Sequence, residues 1–353
     1  MNLDALKNEP RLLLEAQLKP IAGTRFQPTG FPDLGAANYK VRKRLPDGRQ
    51  DTIEMLLVES AQSMANRLEA VCWDESTQQP VPELSGLPYV ESALPDGSKT
   101  NSLLEAHRLN SPYIVNSPEF AEIEKAIGFE KHKPFDRRKL VAALFKYDPC
   151  SLLHGVFLEK IGGVVRLPRT LTAFIEAADV ERAPNGGVKV DRVQPETTGK
   201  VTPYGKAKDG YGNVPFYRED WTGEITAYFL LDLAMLRGIA LPGAGFEFLV
   251  TLAAFKVRRF LEVGLDLRSG CKLELLSIKT TRPSNSLWTL PELDVLKGAV
   301  SKLLAALNER KLLGPSPLKV KYSPELAKKK AAAKEKEQKE QQERDEKADS
   351  QKE

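Results

Sequence analysis

The sequence predicts an α+β chain. Residues 12–18 alternate apolar and polar side chains, two long segments near the C-terminus carry helical apolar stripes, and a strand–helix–strand pattern occurs twice with large insertions between. With 353 residues and 41% hydrophobic content, there is enough apolar material for one large domain with insertions or two average ones.

In "LLLEAQLKPI", Leu12, Leu14, Ala16 and Leu18 point one way while Glu15, Gln17 and Lys19 point the other, as in a half-buried strand. The Gly- and Pro-rich "GTRFQPTGFPDLGAANYK" reads as an ordered loop. "NYKVRKRLPDGRQDTIEMLLV" reads as two extended runs about a Pro-Asp-Gly turn, with Lys40, Arg42 and Arg44 alternating along one arm. "ESAQSMANRLEAVCWD" is a short amphipathic helix. Its apolar stripe is Ala61, Met64, Leu68 and Cys72, and its opposite face offers Ser60, Ser63, Asn66 and Arg67. On pattern alone that face is either solvated or a row of donors.

"LLEAHRLNSPYIV" sets His107 and Arg108 ahead of a Ser-Pro turn. "DRRKLVAALFKYDP" is a helix capped by Asp136, with Leu140, Val141, Leu144 and Phe145 inward. "RTLTAFIEAADVERA" reads as a strand ending near "PNGG". Residues 194–222 have no period, yet they interleave Lys200, Lys206, Lys208 and Arg218 with Tyr204, Tyr211, Phe216 and Tyr217. Loops beyond about 12–15 residues are uncommon in a compact domain and are mostly functional or disordered. Cations set among aromatic rings suit a nucleic-acid strand, because cations meet phosphates and rings stack on bases. A surface insertion packed on its own domain is the alternative.

"EITAYFLLDLAMLRG" reads as an apolar strand, "GFEFLVTLAAFKVRRFLEVGLD" as a helix, "CKLELLSIKTT" as a strand and "LPELDVLKGAVSKLLAALNERKLL" as an amphipathic helix. Residues 325–353 mix charges with almost no large apolar side chains, so they read as a solvated, partly helical or disordered tail. The element order fits a ferredoxin-like, RNA-recognition-motif-like core.

The balance of 52 Lys+Arg against 48 Asp+Glu leaves a net charge of +4, so any basic surface is local. Three widely spaced cysteines suggest no disulfide framework. No apolar stretch of about 18 residues would span a membrane, and the N-terminus lacks a signal-peptide pattern, so the expectation is a cytoplasmic protein. There is no phosphate-binding P-loop, and "GAGFEF" lacks the third glycine and acidic context of a dinucleotide fold. "KYDPCSLLHGVFL" is the one stretch that resembles chemistry. Asp148-Pro149 reads as a helix start, and Cys150 and His154 lie four apart on one face. A thiol at a helix start beside an imidazole is a possible nucleophile–base pair. No third partner stands at a telling spacing, neither for catalysis nor for zinc with His107.

Four blocks, "ESAQSMANRLE", "LLEAHRLNSPYI", "ALFKYDPCSLLHGVFL" and "RLPRTLTAFIEAADVE", together resemble the Cas-seven-type backbone subunit of type I-G (formerly I-U) CRISPR interference (Cascade) complexes, in the RAMP superfamily. The resemblance spans roughly residues 10–320. It implies one domain over 1–324, a modified RNA-recognition-motif palm with finger insertions and a thumb at about 194–222, followed by the charged tail. It implies copies stacked head-to-tail on one CRISPR guide RNA that pairs with target DNA. It also implies other Cascade subunits (a fused small backbone and guide-processing subunit, and a large subunit), a separate helicase–nuclease, no membrane, and neither cofactor nor metal. Ser63, Asn66 and Arg67 become phosphate contacts, and Lys200, Tyr204, Lys206, Lys208 and Tyr211 become thumb contacts. Arg42 and Arg44 lie on a finger-like hairpin. His107, Arg108, Lys146, Arg166 and Arg169 are further RNA-binding candidates from the same blocks. Tyr147 is also a candidate, while Leu152, Leu153, Val156 and Phe157 pack the turn.

The resemblance implies a protein that is not an enzyme. The alternative is a RAMP-type ribonuclease cutting target or precursor RNA, for which Asp209 in the presumed thumb is the residue to consider, although Asp-Gly also marks a simple turn.

Overall fold

In the computed structural model the described residues are 3–31, 33–44, 48, 50–130, 133–159, 161, 165–189, 214–284 and 287–333. The alternating N-terminal run forms β1 (Arg11–Pro20), and Leu12, Leu14, Ala16 and Leu18 are all buried. The hairpin expected next is present as β2 (Asn38–Arg44) and β3 (Gln50–Glu59). Two long strands follow the middle of the chain, β6 (Leu171–Lys189) and β7 (Val214–Asp232), and then β8 (Asp266–Arg268) and β9 (Cys271–Arg282). These seven strands form one antiparallel sheet in the order β8-β9-β1-β7-β6-β3-β2.

The register explains the burial. Leu12, Leu14, Ala16 and Leu18 of β1 face Leu231, Phe229, Ala227 and Ile225 of β7. Leu171, Ala173, Ile175 and Ala177 of β6 face the same four residues from the other side. All twelve are buried, so alternate positions of three adjacent strands make one continuous apolar face. Each fully buried Leu or Phe contributes roughly 1.5–3 kcal/mol relative to exposure. Two helices cover that face. Helix α1 (Ala61–Ala70) packs on β6, and α6 (Gly245–Val263) packs on β7, β9 and α1. The chain therefore runs β1–α1–β6 and β7–α6–β9, each joining parallel strands with one strand between them.

Two expected boundaries are corrected. The strand from Leu171 does not stop near "PNGG": Pro184, Asn185, Gly186 and Gly187 continue β6 and pair with Glu219, Arg218, Tyr217 and Phe216. A turn composition is overridden because β7 supplies a full ladder and a side-chain bond from Asn185 to Asp220 at 2.7 Å. The apolar strand before "LAMLRG" does stop, at Asp232. Its carboxylate accepts from the Met235 N–H at 2.8 Å and caps α5 (Leu233–Gly238).

The β6–β7 ladder shifts register between Ala178 and Glu181. Opposite that bulge Gly223 has φ +151, and a Cβ there would stand 2.7 Å from Val180 Cγ1 and 2.8 Å from the Ala178 carbonyl oxygen. Gly223→Ala is expected to destabilise the fold by about 1–3 kcal/mol, read as a lower midpoint in chemical denaturation. An unchanged midpoint would show that the bulge relaxes without cost.

Helices α2 (Phe120–Ile127), α3 (Arg137–Tyr147) and α4 (Cys150–His154) fill the stretch before β6, with Asp136 capping α3 as expected. A small ribbon, β4 (Val156–Leu158) paired with β5 (Val165–Leu167), follows α4. Helix α7 (Leu293–Glu309) packs on α6. Near the C-terminus, Leu318–Lys321 pairs in parallel with Val90–Ala93, which also pairs with Lys99–Asn101. Residues 324–333 are helical, and Lys330 Nζ donates to the Val115 carbonyl at 2.8 Å. The start of the expected tail is thus docked on the domain; residues 334–353 lie outside those described. No helix among the described residues is long and apolar enough to cross a membrane.

Candidate nucleic-acid interface

Asp148 both ends α3 and starts α4. The residue before proline is driven out of the helical region, here to φ −157 and ψ 75, and its carbonyl accepts from the Ser151 N–H at 3.1 Å in the first turn of α4. Its buried carboxylate accepts from the Ser151 hydroxyl at 2.9 Å. Burial pushes it up to about 6 against the pull of Ser151, Arg108 and Lys256. Cys150 and His154 do share a face of α4, but both are fully buried. Burial raises the Cys150 thiol well above its ordinary value, the opposite of an activated nucleophile.

The group they face is Lys256 of α6, itself fully buried. Its Nζ donates to Cys150 Sγ at 3.2 Å and lies 2.9 Å from His154 Nε2. Burial works against the ammonium, and the Glu69 carboxylate works for it. His154 is held well below its ordinary value by burial and by Lys256, Arg108 and Arg169, so the ring is neutral. Lys256 carried a signal in the sequence. It stands seven and four residues after Leu249 and Leu252 and four before Phe260, all buried on the same helix stripe.

Glu69 of α1 extends this network. Its carboxylate, buried and pushed up to about 7 by that burial, pairs with Arg108 at 2.7 Å. Arg108 also reaches Asn66 Oδ1 at 3.4 Å. Arg108 has φ +51, a conformation that costs a non-glycine residue about 1–3 kcal/mol and is sustained by such fixed partners.

Above the network a cleft of ≈ 440 Å³ opens to solvent. His107, Arg108, His154, Phe157, Arg166 and Arg169 are among the residues that line it. Gly155 is required there: its φ is +77, and a Cβ would fall 2.9 Å from the Leu167 carbonyl oxygen. That close approach folds the β4–β5 ribbon back so that Arg166 faces Phe157, with the guanidinium 4.3 Å from the ring centroid. Burial and the charge of Arg108 lower the pKa of Arg169. Arg166 stacks on Phe157, and the Glu69 carboxylate acts on Arg169 in the opposite sense to burial. The cleft therefore offers the guanidinium groups of Arg166 and Arg169 to an anion, while Arg108, buried and paired with Glu69, forms part of its wall.

The structure thus gathers His107, Arg108, Arg166 and Arg169 at one place, with Asn66 reaching them through Arg108. The other candidates lie elsewhere. Arg67, expected as a phosphate contact, is engaged inside the protein: it donates to the Leu267 carbonyl at 2.7 Å and pairs with Glu59 at 3.3 Å. Arg268 pairs with the same Glu59, so Arg67 clips α1 to β3 and β8. Ser63 is half-buried; its N–H donates to Ser60 Oγ at the helix cap. Arg42 is exposed on β2, Lys40 pairs with Glu54 at 2.9 Å, and Arg44 continues the strand. Lys146 is exposed on the last turn of α3, over the Tyr147 ring. Tyr147 itself is buried and donates to Glu122 at 2.7 Å, which removes it as a surface contact. Leu152, Leu153 and Val156 pack in the core as expected, whereas Phe157 is 37% exposed in the cleft. Of the presumed thumb, residues 214–222 are strand β7. Lys200, Tyr204, Lys206, Lys208, Tyr211 and Asp209 lie outside the described residues.

Residues 12–182 match the family described as "CRISPR-associated protein GSU0053". Among solved structures, the chain is similar to Csc2 of Thermofilum pendens at 14% identity and a TM-score of 0.30, over 87% of this chain and 79% of that one. It is also similar to a chain of a "CRISPR RNA-guided surveillance complex, pre-nicking" at 14% identity and a TM-score of 0.36, over 92% of this chain and 99% of that one. No curated protein matches it.

Proposed function

With a CRISPR-associated family matched over residues 12–182, we propose that this chain is a guide-RNA-binding backbone subunit of a type I CRISPR surveillance complex. The observation that carries the reading is the convergence of Arg108, Arg166 and Arg169 with His107 on one open cleft. Guanidinium groups grip phosphates without reading bases, which suits a protein that holds any spacer sequence while base pairing selects the target DNA. The strand order β9-β1-β7-β6, with α1 and α6 on one face, supports a modified RNA-recognition-motif palm. In this reading residues 1–324 act as one unit, copies of the chain stack head-to-tail along the guide, and the other Cascade subunits and a helicase–nuclease complete the assembly in the cytoplasm. The chain holds the guide and does not cut.

The test is to co-express the full chain with its neighbours and a repeat–spacer array. A defined guide RNA is expected to copurify and to set the length of the oligomer, and matched RNA added with a divalent metal is expected to stay intact. Oligomers free of RNA would overturn the backbone role. Cleavage that disappears in Asp209→Ala would overturn the non-catalytic one.

A further inference from the structure

Beneath the cleft, the proton on His154 is placed by its neighbour. Lys256 Nζ lies 2.9 Å from His154 Nε2. An ammonium only donates, so Nε2 of the neutral ring accepts and the ring proton is on Nδ1. Nδ1 is buried and has no hydrogen-bond partner among the described residues. The residue is 1% exposed and is one of those that line the cleft, with His107 and Arg169. Arg108 Nε, in the same cleft, is a second buried donor without a partner. Buried polar groups in folded proteins are nearly always paired, and two orphan donors in one basic cleft mark a place for an external acceptor.

We propose that His154 is a nucleic-acid-binding residue whose Nδ1–H donates to a phosphodiester oxygen of RNA seated between Arg108 and Arg169, and that Lys256 is the positioning residue that fixes this tautomer. The inference rests on the RNA-binding reading above and adds to it a buried neutral donor. Unlike a surface cation, such a donor contributes contact without counterion release, so it raises affinity without steepening the salt dependence.

The test uses the full chain labelled with nitrogen-15 on its three histidines, with the His154 signals assigned by their loss in His154→Gln. The expected free state is an Nδ1-protonated ring whose Nδ1–H resonance moves when oligouridylate RNA is added. His154→Gln presents an acceptor to Lys256 but no donor at the Nδ1 position, and is expected to weaken RNA binding about tenfold. His154→Asn, which places an amide at that position, is expected to retain most of the affinity. RNA binding with a ring protonated on Nε2, with an unmoved Nδ1 signal, or with undiminished affinity in His154→Gln would overturn this inference alone. A signal that moves with inorganic phosphate but not with RNA would mark a free-anion site and also overturn it. Failure of the parent chain to bind RNA would overturn this inference and the backbone reading together. Should His154→Gln fail to fold, the His154 signals are assigned by elimination from His107→Gln and His132→Gln, so the tautomer and the RNA titration are still read on the parent protein.

Discussion

Replacing both Arg166 and Arg169 with alanine is expected to weaken retention of single-stranded RNA about a hundredfold near 0.1 M salt, equally for every sequence. Two charge-assisted contacts at about 1.5 kcal/mol each account for that size. The slope of log affinity against log salt should become shallower by about 1.4, from ~0.7 released counterions per phosphate contact on a single strand. Neither side chain belongs to the core: Arg166 is exposed over Phe157 and Arg169 is half-buried at the cleft. The melting temperature should therefore be unchanged, which separates a binding defect from unfolding. The contrasting variant is Arg67→Ala. Its guanidinium clips α1 to Glu59 and Leu267, so it should lower stability more than it lowers salt-dependent binding. A salt slope unaffected by the double substitution would remove the cleft as the RNA site, while leaving the fold assignment untouched.

Lys256→Met is expected to be the most destabilising single change in the core. Methionine fills a similar volume, so the cost is electrostatic rather than a cavity. The ammonium is the buried counter-charge that Glu69 and Asp148 share with Arg108, and it is also the donor to His154 Nε2. Replacing a whole buried ion cluster by apolar groups can be neutral, but removing one member leaves the others uncompensated at about 3–5 kcal/mol. Against a total stability of about 5–15 kcal/mol, that loss should lower the melting temperature by on the order of 10 °C. A variant melting with the parent would show that the carboxylates are already neutral when folded.

Local features were legible in the sequence. Strict alternation placed β1 and its buried face, and the i, i+3, i+4 stripes placed α1, α6 and α7, because period alone decides which side of an element is apolar. The boundaries at "PNGG" and "LAMLRG" differ from the sequence reading for two reasons: tertiary pairing overrides turn composition in the first, and a capping aspartate ends an apolar run in the second. Asp148-Pro149 marks the start of the next helix, as its spacing predicts, and the same residue also closes the helix before it. The candidate site was half legible. His107 and Arg108 are nearly sixty residues from Arg166 and Arg169, and nothing in spacing predicts that Gly155 folds the β4–β5 ribbon so as to bring the two pairs together. Arg67 had the composition of a phosphate contact, but a composition does not reveal that Glu59, on a neighbouring strand, claims it. Lys256 was visible as a cation on an apolar stripe, and its partners come from a helix about a hundred residues earlier.

The long hairpin of β6 and β7 has a mechanical consequence. Strand β6 pairs with β3 only from Ile175 to Ala178, and β7 pairs with β1 only from Ile225 onward. Beyond the bulge, Glu181–Lys189 and its partner strand form a bare two-stranded ribbon that extends roughly 30 Å at ~3.3 Å per residue. Trp221 and Asp220 are buried at its root, where Phe26 pairs with Trp221 and Arg218 and Asn185 hold Asp220. Among the described residues the ribbon is clamped there, and farther out Val188, Phe216 and Tyr217 are exposed. A sideways load on the Lys189–Val214 end is borne at the clamp, with Gly223 and the bulge as the compliant joint beside it. Stiffening that joint would change how far that end swings while leaving the sheet that carries it intact.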